Sequence, residues 1–253
     1  MKSKLRNLLF LLLLSTDLLR NDMDVLEKIR SISHLPIFPI PLVMLPNELL
    51  PLHIFEDRYQ QMLKDVEDEG KLFGVVLFEP QDAFEDRPAL GTVGCVAEIR
   101  ESETLDDGRS NILTLGLLRF RVIDYIDAGE PYLVADVEFF EDDKDEDLEI
   151  KPLADAVFAL FERMAKAAFK LSGNRGQPPQ IKRTDPEALS FLITAAFNFE
   201  NDKKYGLLKT TSTSERLSEL KKILEQAVGQ IEESAEIQTV SRTNGHSKKK
   251  IDV

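Results

Sequence analysis

A short apolar stretch with five prolines is the feature of this sequence that most restricts its fold. The stretch runs from Leu35 to Leu63, and the prolines are Pro36, Pro39, Pro41, Pro46 and Pro51. A proline lacks a backbone N–H and restricts the residue before it, so this spacing excludes a regular helix over the first half of the stretch. The apolar residues between the prolines favour an extended strand followed by a crossing loop.

A turn, a second extended segment and a helix are predicted next. Pro46 and Asn47 suit the central positions of a type II turn, because proline fixes φ and asparagine tolerates the positive φ that follows. Leu49 to Phe55 is the second extended segment. Apolar residues then recur at three- and four-residue steps and predict an amphipathic helix that ends before Gly70; they are Tyr59, Met62, Leu63 and Val66.

Short strands joined by turns are predicted between this helix and Phe140. Asp106-Asp107-Gly108 is a hairpin signal, and Gly116 is the expected bend in the long strand that follows it. The predicted strands are Lys71 to Phe78, Thr92 to Arg100, Ser110 to Ile126 and Tyr132 to Phe140. Short strands with hairpin turns indicate a small, coiled antiparallel barrel rather than a parallel sheet.

The hydrophobic period changes from two to about 3.6 after the acidic run Glu141 to Glu149. The run lacks the central glycine and final glutamate of an EF-hand, so we interpret it as a solvated linker. Capping-box sequences at Thr184 and Ser212 precede two of the predicted helices. We expect five parts: a leader (1–30), the β-barrel (31–142), an acidic linker (143–151), a helical subdomain of about three helices (152–233) and a disordered tail (234–253).

The proline-rich stretch resembles the opening signature of the N-terminal substrate-binding domain of the Lon protease family, in particular of stand-alone proteins that carry this domain alone. Further stretches resemble the family in the same order: Gly91 to Ile99, Asp107 to Val122, Tyr132 to Asp142 and Leu207 to Leu224. The family often has Pro-Gly where this chain has Pro46-Asn47. The resemblance implies an α+β fold, in which a twisted antiparallel pseudo-β-barrel of the PUA-like kind, with one early helix, precedes a helical bundle.

The resemblance also implies a function in protein quality control, namely binding of unfolded or damaged polypeptide segments and their transfer to a separate ATP-dependent protease or chaperone. Complete Lon enzymes join this domain to an ATPase module and a serine-lysine peptidase module. The sequence contains no Gly-x-x-x-x-Gly-Lys-Ser/Thr loop, no Gly-x-Ser-x-Gly elbow and no His-Glu-x-x-His helix. We therefore expect a non-catalytic protein without a cofactor or metal.

Candidate substrate-binding residues lie where the signature passes from strand to helix. They are His53, Phe55, Glu56, Asp57, Arg58 and Tyr59. Aromatic rings and both signs of charge could face outward there beside an unpaired sheet edge, as in other sites for extended peptides. The competing interpretation is that the two aromatic rings complete the barrel core and that the charges form a weak surface pair. A groove between the barrel and the helical bundle is a further expected binding place.

Two other functions stay open. A hydrolase with peptidase activity would need a nucleophile beside a base, and no motif provides one. RNA binding, by analogy with other PUA-like barrels, is disfavoured by the net charge of −13, because phosphate contacts need clustered basic residues. The sequence features that favour RNA are the basic residues Lys166, Lys170, Arg175, Lys182 and Arg183.

The apolar run Leu8 to Leu14 bears on localisation. It follows three basic residues, as in a secretory signal, but no small-x-small cleavage site comes after it and it is too short to span a bilayer. The alternatives are a signal or anchor, a short amphipathic helix, and sequence upstream of a true start at Met23. We favour the last two and expect a cytoplasmic protein without a transmembrane span. The lone Cys95 fits a reducing compartment.

Overall fold

Six strands and one helix are followed by four further helices in the described part of the chain. The computed structural model describes residues 29, 32, 34–68, 70–80, 86–143, 147–172 and 180–244, without the side chains of 147–149 and 235–244. In chain order the elements are β1 (His34–Ile40), β2 (Leu49–Ile54), α1 (Asp57–Glu67), β3 (Leu72–Leu77), β4 (Val93–Thr104), β5 (Ser110–Ile126), β6 (Leu133–Phe140), α2 (Asp147–Ser172), α3 (Pro186–Ala196), α4 (Asn201–Lys209) and α5 (Thr213–Asn244). The predicted α+β class is confirmed.

The sheet closes on itself. Its strand order is β2-β5-β4-β3-β1-β6, and β6 also pairs with β5, so that all strands except β2 form a ring. The pairs are antiparallel apart from β1 and β3, which run parallel. The predicted antiparallel pairing therefore holds for every pair of strands except this one. The crossover through β2 and α1 returns the chain to the same end of the sheet, which is the connection that parallel strands require.

The long strand β5 pairs with three neighbours. Its first part pairs with β2, its second part pairs with β6, and β4 accompanies it on the other side. Gly116, the predicted bend, lies between these parts, where the β4–β5 register shifts. A Cβ atom on Gly116 would lie 2.1 Å from the Leu45 carbonyl oxygen. The loop before β2 can therefore rest directly on the strand only at a glycine.

The Pro46-Asn47 turn is held against that glycine. Asn47 has a φ of 63°, which confirms the predicted positive φ. The Glu48 N–H donates to the Leu45 carbonyl at 3.1 Å and closes the turn. The Asn47 N–H donates to the Gly116 carbonyl at 2.8 Å, and the Gly116 N–H donates to the Glu48 carbonyl at 2.9 Å. The loop and the sheet are thus joined by main-chain hydrogen bonds.

One large core lies within the sheet, and another lies among the four helices that follow it. Helix α1 places Tyr59, Met62 and Val66 in the core of the sheet, as its periodicity predicted. The second core lies among α2, α3, α4 and α5 and includes Phe161, Leu189, Leu207, Leu217, Leu220 and Leu224. Asp185 caps α3 by accepting a hydrogen bond from the Ala188 N–H at 2.9 Å. None of the helices in the described part of the chain is long and apolar enough to cross a membrane.

Two predicted boundaries differ from the structure, and one helix was not predicted. Helix α2 begins at Asp147, inside the predicted acidic linker, because carboxylates are also favoured at a helix N-terminus. Helix α5 continues to Asn244, inside the predicted tail, where the sequence has neither glycine nor proline before Gly245. Helix α4 was not predicted, because its buried residues Leu207 and Leu208 lie only at its end. Apart from Ile29, the predicted leader lies outside the described residues.

Candidate functional site

Phe55 is exposed at the junction between β2 and α1. Its exposed fraction is 61%, higher than that of Leu90 (59%) and Ile123 (47%), the other large hydrophobic residues that are exposed in the described part of the chain. The ring stacks on His53, with the ring centroids 6.2 Å apart and an interplanar angle of 25°. Two neighbouring rings therefore form an aromatic patch at the surface.

The local structure holds this patch in place. Ile54 and Tyr59 are buried on either side of Phe55 in sequence, so the phenyl ring points away from the core. His53 Nδ1 lies 2.8 Å from Asn111 Oδ1 on β5. The side-chain amide of Gln60 donates to the Phe55 carbonyl at 3.1 Å. The exposed ring is thus attached to a fixed backbone rather than to a free loop.

Charged residues surround the patch. Arg58 Nη2 lies 2.7 Å from Glu56 Oε2, in a pair whose side chains are about half exposed. Such a pair contributes at most about 1 kcal/mol to stability. Asp57 opens α1, where a carboxylate is favoured by the helix dipole. Glu56, Asp57 and Arg58 therefore place both signs of charge beside the exposed ring of Phe55.

Tyr59, the remaining predicted site residue, belongs to the core. Only 4% of its surface is exposed, and its ring meets Phe38 edge-on at a centroid distance of 4.5 Å. Burial raises the pKa of the Tyr59 phenol. The Arg58 guanidinium lies over the Tyr59 ring, 4.6 Å from its centroid. Tyr59 thus supports Arg58 from below and does not itself face solvent.

Strand β2 provides an open sheet edge next to the patch. Among the strands that the structure describes, β2 pairs with β5 alone. Pro51 lies in the middle of β2 and supplies no N–H, which limits pairing with a further strand. The edge therefore offers fewer main-chain groups than a regular strand of the same length.

A small cleft opens between α1 and the β4–β5 hairpin. It has a volume of about 90 Å³, and Gln60, Lys64, Lys71, Ile99, Ser102 and Thr104 are among its lining residues. Gln60 belongs both to this cleft and to the contacts of Phe55. Sequence reasoning missed the cleft, because it depends on an irregularity in β4 that no motif signals.

The junction between sheet and helices, where a groove was expected, contains a buried ionic cluster. Arg119 on β5 and Arg216 on α5 are 1% and 0% exposed. Both bind the Asp142 carboxylate, and both guanidinium groups lie close to the Phe191 ring. Burial lowers the pKa of Arg119, although Asp142 opposes this shift. This part of the junction is filled by side chains.

The features noted for the alternative functions are also placed by the structure. In the basic patch, Lys166 pairs with Glu162 and Arg183 pairs with Asp155, while Arg175 lies outside the described residues. Cys95 is fully buried, and burial raises the pKa of its thiol, so a thiolate nucleophile is disfavoured there.

Comparisons with known proteins identify the domain. The family profile described as the ATP-dependent protease La (LON) substrate-binding domain matches residues 34–226. The Lon protease of Syntrophus aciditrophicus is 28% identical over 215 residues, which are 81% of this chain and 26% of that protein. The Lon protease of Escherichia coli is 26% identical over 203 residues, which are 77% of this chain and 25% of that protein. The chain spans about a quarter of the length of these proteases.

Solved structures show the same fold. The Lon N-terminal domain protein from Xanthomonas campestris has a TM-score of 0.53 and 23% identity, covering 75% of this chain and 97% of that one. The N-terminal domain of Mycobacterium avium complex Lon protease has a TM-score of 0.56 and 20% identity, covering 76% and 98%. From the profile match and this shared architecture, the chain belongs to the Lon substrate-binding domain family.

Proposed function

We propose that this chain is a non-catalytic polypeptide-binding module that holds unfolded or damaged protein segments in protein quality control. The observation that carries the proposal is the aromatic patch of His53 and Phe55 at the end of an open sheet edge. An apolar side chain of the bound segment would pack on Phe55, and its main chain would pair in part with β2. Membership of a family described as substrate-binding supports this assignment.

The expected affinity of one such contact is low. Complete burial of a phenylalanine side chain is worth roughly 1.5–3 kcal/mol, and Phe55 is already partly covered. Glu56, Asp57 and Arg58 around the patch would add contacts of either charge to polar residues that flank the apolar one. Weak, sequence-tolerant binding is what a module that samples many unfolded chains needs.

Binding without cleavage is part of the proposal. The sequence contains none of the nucleotide-binding or hydrolase motifs named above, and His53 is engaged with the Asn111 amide rather than with a hydroxyl or thiol nucleophile. We propose that a separate ATP-dependent protease or chaperone receives the bound segment. We also place this activity in the cytoplasm, because the single cysteine fits a reducing compartment.

Fluorescence anisotropy with a labelled, permanently unfolded polypeptide tests the proposal. The full chain should bind the probe saturably, and gel analysis of the same samples after several hours should show an intact probe. Phe55→Ser should weaken binding about fivefold, the loss that corresponds to about 1 kcal/mol. Leu90→Ser is the matched control, because Leu90 is almost equally exposed but lies on a different loop.

Three results would reject the proposal. The first is no binding of the probe by the folded full chain. The second is equal weakening by Phe55→Ser and Leu90→Ser, which would mean that any exposed apolar side chain of this protein binds the probe non-specifically. The third is cleavage of the probe by the pure protein. Circular dichroism of both variants verifies that each is folded before binding is compared.

A further inference from the structure

The cleft between α1 and the β4–β5 hairpin adjoins the Phe55 patch. Gln60 lines the cleft and donates its side-chain amide to the Phe55 carbonyl at 3.1 Å. Ser110, another lining residue, pairs with Ile54, the residue before Phe55. A polypeptide segment seated on Phe55 would therefore place a neighbouring side chain at the mouth of the cleft.

The lining of the cleft carries more positive than negative charge. Lys64 from α1 and Lys71 from the loop before β3 contribute two ammonium groups, and Glu67 contributes one carboxylate. Neither lysine forms an ion pair with another residue in the described part of the chain. The lining of the cleft therefore has a net charge of +1, whereas the whole chain has a net charge of −13. Its charge is complementary to an acidic ligand.

A β-bulge keeps two carboxylates out of the cleft. Side chains of a regular strand alternate between its faces, so Glu101 and Glu103 would share the face of Ile99. The register of β4 against β5 shifts between Ile99 and Glu101. The lining residues are consequently Ile99, Ser102 and Thr104. The bulge thus replaces two carboxylates by two hydroxyl groups that can donate hydrogen bonds.

Lys71 is held in an unfavourable backbone conformation at the edge of the cleft. Its φ is 63°, a region that residues with a Cβ atom seldom occupy. The Lys71 N–H donates to the Val66 carbonyl at 2.9 Å, and the Lys71 carbonyl accepts from the Ile99 N–H at 3.0 Å. These two bonds fix Lys71 between α1 and β4. Strained residues of this kind concentrate at binding sites.

We propose that this cleft binds a carboxylate of the polypeptide whose apolar side chain packs on Phe55. The inference rests on the proposed function and narrows its substrates to segments in which an acidic group lies beside an apolar residue. Lys64 and Lys71 neutralise the carboxylate, and Gln60, Ser102 and Thr104 donate hydrogen bonds to it. The cleft has a volume of about 90 Å³, which leaves room for a carboxylate group and its methylene.

Peptides that differ only in one feature test the proposal. Four labelled peptides share one core that contains Phe and Leu and differ only at the C-terminal end. Three of them end in a C-terminal amide, which follows two glutamates, two glutamines or two lysines. The fourth ends in two glutamines and a free carboxylate. Anisotropy with the full chain at low salt should give about tenfold tighter binding for the glutamate peptide than for the glutamine amide. The lysine peptide should bind most weakly.

The variant Lys64→Gln/Lys71→Gln should abolish the preference for glutamate over glutamine. Lys151→Gln/Lys222→Gln removes the same charge from α2 and α5 and should retain the preference. Phe55→Ser should weaken binding of all four peptides. If the free-carboxylate peptide shows the larger gain, and Lys64→Gln/Lys71→Gln removes it, the cleft binds chain ends rather than acidic side chains.

Distinct results overturn the two proposals. Equal affinity for the glutamate and glutamine peptides, with both weakened by Phe55→Ser, overturns the carboxylate site and leaves the polypeptide-binding function standing. If both lysine variants lose the preference for glutamate equally, the site is also overturned. The loss would then result from the changed net charge of the protein and not from the lysines of the cleft. Failure of all four peptides to bind overturns both proposals.

Discussion

Arg119 and Arg216, which lie far apart in sequence, share the two oxygens of the Asp142 carboxylate. Arg119 binds Oδ1 and Arg216 binds Oδ2. Arg119 also donates to the carbonyls of Leu208 and Thr210, at 2.9 and 2.8 Å, and Arg216 donates to the Thr210 carbonyl at 2.7 Å. The guanidinium carbons lie 5.2 and 4.0 Å from the centroid of the Phe191 ring. These contacts join the sheet to the helical part of the chain.

Asp142→Asn should destabilise the fold by about 3–5 kcal/mol, because it removes the carboxylate that both buried guanidinium groups bind. Equilibrium unfolding in urea measures the loss. Asp155→Asn is the control, since Asp155 pairs with Arg183 at a site where both side chains are mostly exposed. That variant should lose less than about 1 kcal/mol. Similar losses in both variants would show that the buried cluster contributes no more than a surface pair.

Gly116→Ala should destabilise the fold by about 3 kcal/mol or more, because it adds a methyl group at a position that is already fully packed. The added methyl group would lie 2.1 Å from the Leu45 carbonyl oxygen, and the Asn47 hydrogen bond to Gly116 prevents the loop from moving away. Gly206→Ala, in α4, should instead stabilise by about 0.5–1 kcal/mol, because nothing lies within 4 Å of the new Cβ. The stabilities of the two variants are measured by thermal unfolding and by urea unfolding. A tolerated Gly116→Ala would mean that the loop is not tightly held on β5.

The unfolding free energy should depend on pH through Glu48. Burial raises the pKa of this carboxyl, and Lys204 and the Leu45 N–H offset only part of the shift. The folded state therefore binds the proton more tightly than the unfolded state, so the contribution of Glu48 to stability falls as pH rises from about 4.3 through the raised pKa. Glu48→Gln keeps an acceptor for the Leu45 N–H and removes this ionisation.

The measurement is the difference in unfolding free energy between Glu48→Gln and the unsubstituted protein from pH 4 to 8. Taking the difference removes the effect of Glu187, whose pKa burial also raises. The variant should gain relative stability with increasing pH. Parallel stability curves for the two proteins would contradict the expectation.

Substitutions of Phe55 and Tyr59 should differ in their effect on the free energy of unfolding. Phe55→Ser should change the free energy of unfolding by no more than about 0.5 kcal/mol, because its ring is exposed. Tyr59→Ala should cost about 3–5 kcal/mol, as a truncated core aromatic residue does. Urea unfolding checks both values. A large loss in Phe55→Ser would assign the ring to the core and remove the basis for the binding patch.

Local features of this fold could be predicted from the sequence because each has a short-range cause. The Pro46-Asn47 turn follows from two backbone preferences, and the period of Tyr59, Met62 and Val66 predicted α1. The hairpin at Gly108 was predicted in the same way: β4 and β5 pair antiparallel on either side of it. In each case the residues that determine the structure are adjacent in the chain.

Long-range features could not be predicted in this way. The parallel pairing of β1 and β3 depends on how the intervening crossover runs, which no local motif encodes. Arg119 and Arg216 look like surface residues in the sequence, and they can be buried only because Asp142 and several carbonyls meet them. The positively charged cleft depends on the bulge after Ile99 and on the backbone of Lys71. The exposure of Phe55 and the burial of Tyr59 likewise required the structure.

The position of β1 in the ring has a consequence during synthesis on the ribosome. β1 pairs with β3 on one side and with β6 on the other, and His34 contacts Asp136 across 102 residues of chain. At translation rates of about 5–20 residues per second, β1 waits on the order of 5–20 s for its second neighbour to be made. An apolar strand with an unsatisfied edge is prone to pair with other nascent chains over that period. The order of synthesis thus leaves β1 open to misassociation until β6 has been made.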